Sequence, residues 1–567
     1  MSSKNGKPNG QSFDLSQTEL KKLLKKVPSD IQFYINHLEK QVKNLAEIGL
    51  SLSKEKDMNV LLENILLEAK RITNADGGTL YMKTDDNRLR FEIMMTDSLK
   101  FHMGGTSGQD IPFYPVKLYE DDGKPNKHMI SAYVGLTGET VNIPDAYKAK
   151  GFDFSGTKAF DEKTGYRSKS FLTVPLKNHE DEIIGVVQLL NAKDKKTDES
   201  IPFSTEVQDI VEALSSQAAV AITNKNLIRD LEILFESFIK LIASAIDAKS
   251  PYTGGHCSRV PEITMMLAEA VNESKNEHFK DIHFTDKQMY ELKIAAWLHD
   301  CGKVATPEYV VDKATKLETI YDRVHTVSTR FEVLKRDQEI KFLKQQLKVE
   351  KDSSLSELET KNALKDIRKK YREKITQMDD DLDFVKTTNV GGEFMSGDKK
   401  DRVKKIANYR WKDNGESKNF LSDDEVKNLC IAKGTLTAEE RKIINDHIVH
   451  TIDMLQQLPY PNHLKNVPEF AGGHHEKLDG TGYPMGLTKD EMSIQAKAMA
   501  IADVFEALTA RDRPYKEGKA LSMAMRIMGF MKNDAHVDPF LFELFVKEKI
   551  YLKYAEKYLT KEQLDMD

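Results

Sequence analysis

The sequence predicts a multidomain protein, mixed α/β in its first half and helical in its second. Three observations carry this. Its 567 residues suffice for about three or four domains. Between Asp57 and Thr223 a helix, two short strands and a strong hairpin follow one another. From Thr205 onward, apolar residues recur at three- and four-residue steps over most of the chain.

Composition narrows the function. Charged residues make up 31% and hydrophobic ones 40%, which suits a soluble protein with real cores. A net charge of -6 argues against general nucleic-acid binding. The three cysteines, Cys257, Cys301 and Cys430, form no paired framework and fit a reducing cytosol. Met1 to Ser12 is polar and reads as neither signal peptide nor anchor. No apolar run approaches the ~18 residues of a spanning helix, so a cytoplasmic protein without membrane contact is expected.

Taken in order, residues 1–14 read as a disordered tail and 15–53 as a helix. Ile31, Tyr34, Leu38, Val42, Leu45 and Ile48 form one stripe on it, either a packing face or a dimer seam. Residues 54–225 hold a helix (Val60 to Ile72), strands at Gly78 to Lys83 and Leu89 to Met95, and a hairpin. The hairpin pairs Ser170 to Leu176 with Ile183 to Asn191 across a turn at Asn178 to Asp181. Thr205 with Gln208 is read as the capping box of a helix to Lys249, about 68 Å long if unbroken. Its alternative is a break near Asn224 to Asn226; the part at 226–250 would be a linker.

Thr285 and Gln288 form a capping box ahead of an apolar face at Met289, Leu292, Ala296 and Leu298. That helix closes on His299-Asp300-Cys301-Gly302-Lys303, with Gly302 suited to a helix end. Residues 309–434 interrupt the pattern with charge-rich helices at Leu334 to Leu347 and Leu355 to Val385. Thr437 with Glu440 caps the helix carrying His447, and Thr488 with Glu491 is expected to cap the one carrying Asp503. His450, near His447, is read as structural.

A His-Asp dipeptide offers an imidazole and a carboxylate able to bridge two cations. Its company raises the signal: His447, then His474-His475-Glu476, then Gly482-Tyr483-Pro484, then Asp503. The words "HDCGK", "HHEKLDGTGYP" and "IADVFEALTARDRPYK" together resemble the HD-GYP phosphodiesterases, over roughly Ile246 to Lys516. "NIPDAY", "TGYRSKSFLTVPL" and "IIGVVQLLNAK" resemble a GAF domain of the phosphodiesterase type. Asn191, Lys193 and Phe203 could stand for part of the signature of its cyclic-nucleotide-binding members, but Val207 and Gln208 fall where the acidic pair belongs.

The resemblances imply an α/β GAF domain, with a central antiparallel sheet flanked by helices. An all-α HD-type helical bundle follows, in two parts at 251–308 and 435–567, with a long helical insertion between them. They imply hydrolysis of cyclic di-GMP to pGpG and/or GMP at two divalent metal ions, Fe or Mn. The implied metal ligands are His299, Asp300, His447, His474, His475 and Asp503, with Asp300 bridging. Lys303 would act on the phosphate; His256, Gly482, Tyr483, Arg513 and Lys516 would contact substrate. Tyr252 stands where a third-metal carboxylate would be needed. The alternatives are a non-catalytic cyclic dinucleotide receptor or scaffold, and a hydrolase of another cyclic dinucleotide. An unknown GAF ligand and a homodimer are the partners expected. Serine-hydrolase and nucleotide-fingerprint readings fail, because neither Gly-x-Ser-x-Gly nor a phosphate-loop motif occurs.

Overall fold

The computed structural model describes residues 28–249, 255–511 and 518–566. The expectations for the tail and the start of the first helix, and those for Tyr252, Arg513 and Lys516, lie outside these residues. Two compact units divide between Ile233 and Leu234.

The first unit is built on an eight-stranded antiparallel sheet. Its strands are β1 (Ala75–Lys83), β2 (Arg88–Thr96), β3 (Phe101–Gly104), β4 (Val116–Lys117), β5 (Val141–Ile143), β6 (Phe171–Lys177), β7 (Ile183–Lys193) and β8 (Ser200–Ile201). The order is β3-β2-β1-β7-β6-β5, with β4 on β2 and β8 on β7. Alternation fixes the two faces. On one, Leu80, Leu172, Val174 and Leu189 pack against Leu61, Ile65 and Leu66 of helix Met58–Thr73 and Val211, Leu214 and Ala218 of the long helix. On the other, Tyr81, Phe171 and Val186 pack against Ala132, Val134 and Phe154. The predicted hairpin forms; Asn178 Oδ1 accepts from the backbone N–H groups of Glu180 and Glu182, both at 2.9 Å, closing its turn.

Helix Ser29–Lys54 splits its stripe. Ile48 and Leu52 are buried in the sheet's core with Leu45 against them, while Ile31, Tyr34, Leu38 and Val42 are exposed. Asn191 and Lys193 are spent on the domain itself. The Asn191 amide donates to Tyr166 Oη and the Arg167 carbonyl and accepts from Lys169 N and Ser170 N. The Lys193 ammonium lies 2.9 Å from the buried Asp76 carboxylate.

The long helix runs unbroken from Thr205 to Lys249, 45 residues. The weak propensity of Asn224 to Asn226 is overridden, since Ile222 is buried in the first core and Ile239, Ala243 and Ile246 in the second. Its cap differs from the sequence reading. Ser204, not Thr205, receives the Val207 N–H, and the Gln208 side chain turns instead to Asn142 and Glu212.

The second unit packs helices His256–Glu273, Asp286–Leu298, Val467–Gly472, Ile494–Thr509, Leu521–Asn533, Pro539–Lys547 and Ile550–Tyr558 around one core that includes Val260, Leu292, Ala502 and Phe505. The Thr285 and Thr437 capping boxes are present. Thr488 and Glu491 bond each other in a turn, and Ser493 caps the next helix by accepting from Ala496 N at 3.1 Å.

The insertion has its own core of Leu317, Phe331, Met378, Leu382, Val403 and Phe420. From it projects a hairpin of helices Val324–Glu350 and Glu357–Asn389. It is not purely helical. Strands Arg410–Asp413 and Glu416–Asn419 pair around Asn414 (φ +48°) and Gly415 (φ +85°), the residue pair that a tight hairpin turn demands. Among the described residues no helix is long and apolar enough to cross a membrane.

Candidate metal centre

Local structure presents each candidate ligand. His299 and Asp300 follow helix Asp286–Leu298, where the chain tightens into a single 3-10 turn, Cys301–Ala305. That turn packs on the helix starting at His447, and Gly302 makes the approach possible. A Cβ there would lie 2.0 Å from the His447 carbonyl oxygen and 2.5 Å from Thr451 N. Gly302 N donates to Thr451 Oγ1 at 2.9 Å. Close packing, rather than a left-handed cap, is why glycine stands there.

Three histidines share one device. His299 Nδ1 lies 2.7 Å from the Ala296 carbonyl oxygen and His474 Nδ1 2.6 Å from that of Ala471; His447 Nδ1 meets that of Ile444. A carbonyl only accepts, so each Nδ1 carries a proton, and the neutral form of each ring then presents its lone pair on Nε2. The three Nε2 atoms therefore converge as acceptors fixed by their outer contacts, the usual setting of metal-bound histidine.

The ligand-type atoms fall into two groups, each within 4.8 Å internally: Asp300, His447, His474 and His475, and His256, His299 and Asp300. Asp300 belongs to both. His447 Nε2 is 3.1 Å from its Oδ1, and His256 Nε2 is 3.1 Å from its Oδ2. His256, given a substrate contact in the sequence reading, lies inside the cluster with its Nε2 3.2 Å from His299 Nε2. Asp503 borders the second group, Oδ1 3.4 Å from His256 Nε2. Among the described residues neither group draws on the insertion.

Burial sets the charges. It pulls His475 down to about 4 and His474 well below the usual imidazole range, leaving both neutral. For Asp300, burial alone pushes the carboxyl up, but Lys303 and His299 and the His256 hydrogen bond hold it well below its ordinary value. Asp503 is likewise held low against burial, chiefly by His256. A lone buried carboxylate would cost several kcal/mol; the Lys303 ammonium, in direct contact with Asp300 Oδ2, offsets much of that. His474 Nε2 is buried with no hydrogen-bond partner. An orphaned imidazole nitrogen on His474, beside the neutral His475 and the ionised Asp300 and Asp503, fits a divalent cation.

The surround contains residues the sequence reading gave no role. Glu506 Oε2 lies 2.5 Å from His256 Nδ1, and Arg259 holds its other oxygen at 2.6 Å. Each lies three residues along the same helix from a marked residue, Glu506 from Asp503 and Arg259 from His256, and that spacing was the available signal. Glu476 accepts backbone N–H bonds from Met485, Gly486 and Leu487 at 2.7, 3.2 and 2.9 Å, anchoring the loop beyond Tyr483. Tyr483 stacks on His475 with ring centroids 4.9 Å apart. A Cβ on Gly482 would lie 2.3 Å from Lys477 N. His450 is exposed.

Comparison with known proteins agrees with this architecture. A GAF domain model matches residues 57–222, and an HD domain model matches 423–541. The "3'3'-cGAMP-specific phosphodiesterase 3" of Vibrio cholerae serotype O1 is 38% identical over 104 residues, 18% of this chain and 22% of that one. A "Probable cyclic di-GMP phosphodiesterase" of the same organism is 34% identical over 141 residues, 24% and 32% of the two chains. The "Cyclic di-GMP phosphodiesterase" of Thermotoga maritima is 35% identical over 119 residues, 21% and 32%. The chain thus spans less than a third of the length of each of these relatives. It carries a GAF domain followed by an HD domain, the class to which fold and ligand set both point.

Proposed function

We propose that the chain is a metal-dependent phosphodiesterase that hydrolyses cyclic di-GMP to pGpG and/or GMP, regulated by its GAF domain. The observation that carries this is the pair of ligand groups sharing Asp300. Asp300 would bridge two cations. His256, His299 and Asp503 would complete one site, and His447, His474 and His475 the other. The imidazole-rich donor set favours Fe or Mn over Mg. When bound, the cations supply Lewis acidity and a nucleophile at neutral pH.

The chain's own residues do the rest. The Nδ1 contacts hold three rings in one tautomer, and Glu506 orients His256. Lys303, next to Asp300 and partly exposed, is placed to meet a non-bridging phosphate oxygen as a point charge. Gly482 and Tyr483 would shape the rim. The catalytic domain comprises 251–308 and 435–567, with 309–434 inserted. A second substrate reading, 3′3′-cGAMP, is favoured by the name of one relative.

The assembly is a parallel homodimer in the cytoplasm. Leu227, Leu231, Leu234, Phe238 and Leu241 are exposed at alternating four- and three-residue steps on the long helix, the seam of a two-stranded coiled coil. Metal analysis tests the centre. The wild-type chain should hold two cations and Asp300→Ala neither; full occupancy in Asp300→Ala would refute the bridge.

A further inference from the structure

The last turn of the long helix holds both segments that present the Asp300 end of the centre. Asp247 accepts from Gly255 N at 3.0 Å and Cys257 N at 3.4 Å, the N–H groups on either side of His256. Two residues on, the Lys249 ammonium donates to the carbonyl oxygens of Lys303 (3.2 Å), Val304 and Thr306 (2.7 Å).

Both contacts answer a need that the local sequence leaves open. Helix His256–Glu273 has Gly255 at its N-cap, with no side chain to receive the first N–H groups. The 3-10 turn Cys301–Ala305 ends in carbonyls, the negative pole of a helical turn, where a cation is favourable. An ammonium has three N–H bonds, and here they meet three carbonyls. The contacts are also specific in place. Asp247 grips the residues flanking His256, and Lys249 grips the chain three to six residues past Asp300. Beneath them Ile239, Ala243 and Ile246 seat this helix in the core that contains Val260 and Leu298, so the clamp rests on a rigid element.

We infer that Asp247 and Lys249 are positioning residues of the metal centre. Through them the end of the long helix sets the separation between His256 and the His299-Asp300 pair, and a displacement of that end loosens both together. The inference rests on the metal-centre reading above and adds to it the element that controls ligand spacing.

The test is Mn2+ binding by the full chain, measured by chelator competition, independently of substrate and turnover. Lys249→Met keeps the aliphatic stem and removes the donors; Asp247→Asn keeps the shape and removes the charge. Each should weaken Mn2+ binding about tenfold, the scale of lost outer contacts at a metal site, with an unchanged thermal midpoint in the metal-free protein. Lys249→Arg, which retains donors, should recover most of the affinity. Lys240→Met, which removes a lysine that meets Glu236 earlier on the helix, should leave affinity unchanged and serves as the control for general loosening.

Affinity within twofold of wild type in both Asp247→Asn and Lys249→Met would overturn the clamp, as would an equal loss in Lys240→Met. If Lys249→Met fails to fold, Asp247→Asn and Lys249→Arg decide on the same readout. A wild-type chain that takes up no Mn2+ would instead overturn the metal-centre reading itself.

Discussion

Single residues set the chemistry here through what they accept and donate. Glu476 illustrates this. It is fully buried and takes three backbone N–H bonds from the loop whose tyrosine stacks on His475. Glu476→Gln replaces one acceptor oxygen with an NH2 group that faces donors. The expected loss is about 2 kcal/mol of stability, since buried unmet donors cost roughly 1–3 kcal/mol each, with a fall in turnover as Tyr483 drifts. Urea unfolding and steady-state rates check it; unchanged values in both would mean the loop is held by other contacts. The sequence made His299, Asp300, His474 and His475 legible because they come in short words. Glu506, Arg259, Asp247 and Lys249 were hidden because their roles depend on contacts that only the tertiary fold creates.

At the scale of elements, the decisive junction is the 3-10 turn against the His447 helix. Gly302→Ala puts a methyl 2.0 Å from a backbone oxygen with no flexible side chain to yield. Overpacking of this kind costs about 1–3 kcal/mol, and here the upper end is expected, because the neighbour is backbone. Metal content should fall with it, since the two ligand-bearing segments must part. Normal stability and full metal content in Gly302→Ala would contradict this packing.

The insertion yields a different forecast. Met378 and Leu382 belong to its core, and Lys335 pairs with Asp379 at the hairpin's base, so only the helical tip beyond them is dispensable. Replacing 341–374 with a short Gly/Ser linker should leave metal content and thermal midpoint unchanged. A cut that reaches Asp383 should unfold the insertion. Loss of metal from the shorter deletion would show that the arm supports the centre. Sequence periodicity revealed these helices, but the Asn414-Gly415 hairpin went unread inside a charge-rich stretch, and two helix caps were misassigned where a serine one to five residues away was the better acceptor.

For the whole molecule, the long helix leaves an apolar stripe in water. Burying such side chains contributes about 1.5–3 kcal/mol each, enough for five paired positions to hold a dimer. Leu231→Glu with Phe238→Glu should therefore convert a dimer to a monomer in light scattering without changing helix content. A wild-type monomer at micromolar concentration would end that proposal.

The overall order of an α/β domain, a long helix and a helical metal-binding unit was legible from pattern and motif. How the last turn of that helix meets the ligands was not, because it joins residues some 50 positions apart. The central claim is hydrolysis at a two-cation centre. Its most direct measurement is to incubate the full chain, loaded with Mn2+ or Fe2+, with cyclic di-GMP and 3′3′-cGAMP and to identify the products. The account predicts a linear dinucleotide or mononucleotide that forms only with metal and disappears with a chelator or with Asp300→Ala. Tight cyclic dinucleotide binding by the metal-loaded chain without any ring opening would contradict it and make the protein a receptor.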